Sequence, residues 1–156
     1  MSDIVRIEME NGDVIRAELY PEVAPKTVEN FISLVNESFF DGTIFHRVIP
    51  GFMVQGGAGI DGKDAENIAG EFASNGFTND LAHDRGVLSM ARTMIKDSAS
   101  SQFFIMVAKS PHLDGDYAAF GKVIEGMEGV DKIVNADRDR QDKPFNDQKM
   151  KTVTME

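Results

Sequence analysis

Cysteine is missing from all 156 residues. That excludes a disulfide framework, a thiol nucleophile, a zinc finger and an iron–sulfur cluster, and it fits a reducing cytoplasmic setting. Basic residues are few: 16 lysines and arginines face 26 aspartates and glutamates, for a formal charge of -10. Such a surface repels a phosphate backbone and offers no basic stripe, so nucleic-acid binding is not expected. No apolar stretch approaches the roughly 18 residues of a spanning helix, and Met1-Ser2-Asp3 leads into a strand-like pattern with neither a basic patch nor an apolar run. Neither secretion nor a membrane partner is expected. Histidine occurs only at His46, His83 and His112, without the short pairings of common metal sites, so no metal or other cofactor is expected. A nucleophile elbow is absent too, and Ser98, Ser100 and Ser101 lie in a small-residue loop suited to backbone hydrogen bonding. Gly57, Gly59 and Gly62 have the spacing of a dinucleotide fingerprint, yet no apolar helix follows to offer its N-terminus to a phosphate.

What is present is an ordinary soluble composition, 42% hydrophobic and 27% charged, enough for one well-buried core. A single domain over residues 1–156 is expected, since no repeat, linker or low-complexity tract divides the chain. Val5, Ile7 and Met9 alternate with polar residues, as do Ile15, Ala17 and Leu19 beyond Asn11-Gly12, predicting a hairpin with a tight turn. Pro25 suits a first helical position, and Val28, Phe31, Ile32, Val35 and Phe39 follow at helical spacing, predicting a helix over about 25–37. Two short extended runs between Ile44 and Gly56 flank Pro50-Gly51, a turn across which strand parity cannot be carried. Residues 57–84 hold six acids, one lysine and five glycines without a period. This reads as a long ordered loop, either functional or wrapped on the core. Further strands are expected at 87–91, 102–108, 118–123 and 148–155, with a short helix near Met127 to Val134. Many strands and two separated helices point to a barrel with helical caps.

Three segments carry the chemistry: Phe45-His46-Arg47-Val48-Ile49-Pro50-Gly51-Phe52-Met53-Val54-Gln55-Gly56-Gly57, then Leu88-Ser89-Met90-Ala91-Arg92, then Ser101-Gln102-Phe103-Phe104-Ile105. They resemble the signature segments of the cyclophilin family of peptidyl-prolyl cis-trans isomerases, in the family's order. The resemblance runs from the first hairpin to Asp114-Gly115 and Phe120-Gly121-Lys122-Val123, nearly the whole chain. It implies a mostly β fold, a closed eight-stranded antiparallel barrel capped by two α-helices, with a filled interior and a substrate groove outside. Such a barrel has no free edge for obligate pairing, so a monomer is expected. Alternation along the third segment puts Gln102, Phe104 and Met106 on one face and Phe103, Ile105 and Val107 on the other. Polar Gln102 marks its own face as the groove.

The resemblance also implies a reaction that needs neither nucleophile nor metal. Rotation about an amide costs about 18–20 kcal/mol because the nitrogen lone pair is delocalised, and uncatalysed prolyl isomerisation takes roughly 10–100 s. A guanidinium aimed at the prolyl nitrogen stabilises the twisted state, in which the lone pair is localised, more than the planar ground state. Arg47 matches the family's catalytic arginine, and Phe52, Gln55 and Phe104 join it in the catalytic set. Phe52, Met53, Phe104 and Leu113 match the apolar slot for the proline ring, while Gln55, Ala91, Arg92 and Gln102 match groups that contact the peptide backbone. Burying a proline-sized group there yields about 1.5–3 kcal/mol, so single peptides should bind weakly and leave easily. Expected partners are proline-containing peptides and unfolded or folding proteins. A non-catalytic proline-binding module would use the same slot but has no use for Arg47, and a general holding chaperone would need a large exposed apolar patch. Three rim positions depart from the best-known pattern: Arg92 replaces asparagine, His112 a tryptophan, and Tyr117 a histidine. Cyclosporin, which inhibits many members by filling the groove, is therefore expected to bind weakly.

Overall fold

A computed structural model describes residues 3–156. Met1 and Ser2, where the sequence reading of the N-terminus begins, lie outside the described residues. Strand β1 (Asp3–Met9) pairs antiparallel with β2 (Val14–Leu19). The alternation works as expected, with Val5, Ile7, Met9, Ile15, Ala17 and Leu19 all buried on one face. The turn is wider than the tight one expected. Gly12 N donates to Met9 O at 2.9 Å and Met9 N to Asp13 O at 2.8 Å, which makes a three-residue loop of Glu10, Asn11 and Gly12. Asn11 Oδ1 accepts the Asp13 N–H at 2.8 Å, and Gly12 at φ 94° supplies the left-handed residue that closes such a loop.

Helix α1 (Pro25–Asn36) begins on proline and buries Val28, Phe31, Leu34 and Val35. Its N-terminal donors find a partner far away in sequence. Thr27 N and Thr27 Oγ1 both donate to Glu71 Oε1, at 2.6 and 2.7 Å. A buried carboxylate at a helix N-terminus satisfies otherwise orphaned N–H groups and favours the helix dipole. Glu71 belongs to the acidic loop 57–84, which is wrapped on the core: Phe72 is also buried there, and Ile68 bridges to Ala99.

The remaining strands are β3 (Phe45–Ile49), β4 (Met53–Gly56), β5 (Val87–Met90), β6 (Phe103–Met106), β7 (Ala119–Glu125) and β8 (Met150–Met155), with α2 (Met127–Val134) between the last two. They form one curled eight-stranded sheet in the order β3-β4-β6-β5-β7-β2-β1-β8. Helix α1 packs against β8, and α2 against β2, β3 and β4. Inside the curl, Phe31, Phe40, Phe45, Phe103 and Phe120 interlock with ring centroids 5.1–6.0 Å apart.

The sheet corrects the expectation of a closed barrel. Its edge strands β3 and β8 are joined by no ladder but by the single bridge Ile44–Lys149 and flanking bonds, among them Phe45 N to Gln148 O at 2.9 Å, Met150 N to Thr43 O at 2.8 Å and Gly42 N to Met150 O at 2.7 Å. Farther along, the outer edge of β3 is met by the connection ahead of β8, with Val48 N donating to Asp142 O at 2.8 Å. That connection reads Asp137-Arg138-Asp139-Arg140-Gln141-Asp142-Lys143-Pro144. Its charges favour solvent and its proline has no N–H to give a ladder, so it lies along the edge without becoming a strand.

Candidate active site

The outer face of β3, β4, β6, β5 and β7 carries a second apolar cluster, separate from the interior core: Met53, Val87, Phe104, Met106, Leu113 and Ala119, with Ile49, Phe52, Ala91 and Tyr117 packed against it. Register places Arg47 opposite Gln55, Gln55 opposite Phe104, and Phe104 opposite Ser89, so these four form one row across four strands and share one face. Phe103 and Ile105 point the other way into the core. The parity read for β6 is the parity observed.

Arg47 reaches this face through a bulge. Phe45 pairs with Gly56 and Arg47 with Gln55, so two steps on β3 match one on β4 and His46 is the extra residue. Strict alternation would put Phe45 and Arg47 on the same face. The bulge instead leaves Phe45 fully buried in the core and Arg47 exposed on the outer face. Gly56 makes the crowding possible, because a Cβ there would stand 2.6 Å from Ile44 O and 3.1 Å from Phe45 Cα. His46 itself has a buried Nδ1 without a hydrogen-bond partner. Burial, then the charges of Arg47 and Lys143, hold its pKa below the ordinary histidine value.

A cavity of about 180 Å³ opens on this face. Phe52, Met53, Phe104 and Leu113 give it apolar walls, Ala91 and Tyr117 complete the side, and Arg47, Gln55 and Arg92 stand at its polar border. Met53 and Phe104 are only 2% and 5% exposed, so they form a floor rather than a projecting surface. The polar groups are chained: Arg47 Nη1 donates to Gln55 Oε1 at 3.2 Å, and Gln55 Nε2 to Gln102 Oε1 at 3.0 Å. The amide of Gln55 is thereby oriented and the guanidinium loosely tethered, its other donors free to meet a ligand. Nine of the eleven residues expected at the site thus border one cavity. Gln102 lines an adjoining one, and His112 lies outside both, exposed, with its ring 5.7 Å from Phe52.

Beneath the floor lies a hydrogen-bonded chain that sequence reasoning missed. His83 Nδ1 is 2.9 Å from Asp114 Oδ1, His83 Nε2 is 2.8 Å from Ser89 Oγ, and the imidazole stacks on Phe104 at 6.1 Å. Burial keeps the His83 pKa below its ordinary value, outweighing the pull of Asp114. For Asp114, burial is outweighed by the backbone and ring N–H groups of His83, which keep its carboxyl below the usual range. Neutral His83 then donates from Nδ1 to Asp114 and accepts from the Ser89 hydroxyl. The order resembles a nucleophilic triad, but Ser89 is fully buried and borders neither cavity of this face, so the hydrogen-bonded chain braces Phe104 from below. The one signal in the sequence was a serine at an outward position of an otherwise apolar strand. Of the loop serines, Ser98 Oγ donates to Ile95 O and Ser101 Oγ to Gly57 O as expected, while Ser98 Oγ also accepts from the Thr93 hydroxyl at 2.8 Å.

The family model for cyclophilin-type peptidyl-prolyl cis-trans isomerases matches residues 4–155. A peptidyl-prolyl cis-trans isomerase of Acinetobacter baylyi is 51% identical over 126 residues, 78% of this chain and 66% of that protein, so the match spans just under two thirds of the relative. Peptidyl-prolyl cis-trans isomerase B of Bacillus subtilis is 46% identical over 132 residues, 83% of this chain and 89% of its own length. Among solved structures, a Cryptosporidium parvum cyclophilin-type isomerase crystallised in the presence of the dipeptide Ala-Pro superposes with a TM-score of 0.83 at 32% identity, covering 98% of each chain.

Proposed function

The chain belongs to the cyclophilin-type peptidyl-prolyl cis-trans isomerases, and from that premise we propose that it accelerates rotation about Xaa-Pro bonds in peptides and folding proteins, with Arg47 as the catalytic residue. One observation carries the reading: a guanidinium without a carboxylate partner stands at the mouth of an apolar cavity in a protein rich in acids. The proline ring enters between Phe52, Met53, Phe104 and Leu113, which shed water and fix the ring. Gln55, held by Gln102, and the segment Ala91-Arg92 just beyond β5 hold the peptide on either side. As the bond twists, the prolyl nitrogen becomes pyramidal and basic, and Arg47 donates to the lone pair that the planar amide does not offer. The bond to Arg47 therefore strengthens only toward the transition state, which is what lowers the barrier. No covalent bond to the protein forms in this reaction, so it has no step for a nucleophile.

The Ala-Pro dipeptide used with the Cryptosporidium relative supports a proline ring as occupant. A pure binding module would gain nothing from a cation at the prolyl nitrogen. No helix among the described residues is long and apolar enough to cross a membrane, and the cysteine-free composition fits a cytoplasmic setting. Cyclosporin binds weakly in this reading, because His112 offers less apolar contact than an indole and stands outside the cavity. The test is an exchange measurement by NMR on an Ala-Pro peptide. The protein accelerates isomerisation, and Arg47→Ala loses at least about tenfold, equivalent to about 1.4 kcal/mol, while its circular dichroism is unchanged. In the same assay cyclosporin leaves activity intact until His112→Trp is installed. A folded Arg47→Ala variant with full activity refutes the mechanism, and tight inhibition of the unmodified protein refutes the part given to His112.

A further inference from the structure

The cavity bordered by Arg47 has a neighbour of about 230 Å³, with which it shares Gln55, Ala91 and Arg92. Arg92 is the wall between them. Its Nε and Nη2 both donate to Asp116 O, at 3.0 and 2.7 Å, and Nη1 donates to Thr93 O at 2.9 Å. The guanidinium also lies over two rings, 4.8 Å from the Phe72 centroid and 4.7 Å from that of Tyr117. It is clamped by carbonyls and aromatic faces, which fix its position without cancelling its charge.

That is unusual for this molecule. Among the described residues Arg6, Arg16, Arg85 and Arg138 each hold a carboxylate. Arg47 and Arg92 have no such partner, nor does Arg140 in the charged connection ahead of β8. The second cavity adds Thr93, Ser98, Ser100 and Gln102 to the shared residues and has no acid in its lining. Two neighbouring aspartates are engaged otherwise: Asp97, next to Ser98 in the chain, accepts from Gly70 N and Asn75 Nδ2, and Asp116 reaches Arg92 only through its carbonyl. A protein of net charge -10 therefore presents, beside its proline slot, a rigid positive charge in a polar, acid-free cavity.

We propose that Arg92 is a specificity-determining residue, and that the second cavity selects substrate segments bearing a carboxylate side chain on one flank of the proline. This rests on the isomerase reading and adds to it the class of segment preferred. The fixed guanidinium attracts a substrate glutamate or aspartate at no further cost in arginine side-chain ordering, and it repels lysine, while the Ser100 hydroxyl and the Gln102 amide in the same lining supply the carboxylate's remaining hydrogen bonds.

A peptide panel around one Ala-Pro bond tests it, with Glu, Gln or Lys placed in turn at each of the three positions on either side, and kcat/KM read by NMR exchange. An all-Ala reference peptide is included. At one position Glu exceeds Lys by at least about fivefold, the scale of a single partly exposed ion pair, with Gln between them. In Arg92→Gln that ratio falls toward one whatever the overall rate, which a merely structural role of Arg92 would not produce. In the unmodified protein it collapses at about 0.5 M salt, a readout that holds even if the variant fails to fold. Equal rates for Glu and Lys at every position, a ratio that survives in folded Arg92→Gln, or one indifferent to salt each overturn the proposal. Failure to accelerate the all-Ala reference instead overturns the isomerase reading on which it rests.

Discussion

Phe103 and Phe104 are adjacent, both buried, and belong to different assemblies. Phe103 is edge-on to Phe31, Phe40 and Phe45 inside the curl. Phe104 lies on the outer face between Tyr117 at 5.8 Å and His83 at 6.1 Å. Phe103→Ala leaves a hole in the aromatic core and destabilises the fold by about 3–5 kcal/mol. Phe104→Ala removes the floor of the proline slot, so KM rises and kcat falls out of proportion to any loss of stability. Thermal melts and isomerisation kinetics on both variants check the contrast, and a Phe104→Ala variant with unaltered kcat/KM would remove that residue from the site. This much was legible in the sequence, because a polar residue at the head of a strand marks the face its alternate neighbours share. His83, Ser89 and Asp114 were not legible as a unit. They come from a loop, a strand and a turn separated by long stretches of chain, and nothing local to any of them signals the others.

Alternation identified the elements where one face meets core and the other water, as in β1, β2 and α1, and it placed most boundaries within a few residues. It could not place Arg47, because the bulge at His46 breaks the period of two in the one strand where facing decides chemistry. Gly56 is the partner that admits the bulge. Gly56→Ala sets a methyl against Ile44 O and Phe45 Cα. Relief requires the β3–β4 pair to shift, costing about 1–3 kcal/mol as overpacking does and turning Arg47 away from the cavity. The expected result is a lower melting temperature together with a fall in kcat/KM, although the substituted atom touches no substrate. Unchanged melting and activity would show that the strand pair absorbs the methyl without moving Arg47.

For the molecule as a whole, two histidines tie stability to pH. His46 and His83 both have pKa values lowered by burial, whereas in the unfolded chain they titrate near the ordinary value of about 6.5. As pH falls through about 6.5 the unfolded state binds protons that the folded state refuses, so stability declines until the folded pKa values are reached; above that window their contribution is flat. Asp97, Asp114, Asp131 and Glu156 have lowered pKa values and act in a separate window below about pH 4. Urea midpoints of the unmodified protein should drop between pH 7.5 and 5.5, and His83→Gln should flatten that slope; parallel slopes for the two proteins would rule His83 out as its source. The sheet's strand order also bears on how the chain is made. Val5 on β1 pairs with Met155 on β8, so β1 leaves the ribosome long before the strand it pairs with. At about 5–20 residues per second, the apolar β1–β2 ribbon spends on the order of 10 s or more with an unpartnered edge during synthesis. A protein whose proposed work is to help other chains through slow folding steps thus has a vulnerable interval of its own, when a passing strand could occupy the place of β8.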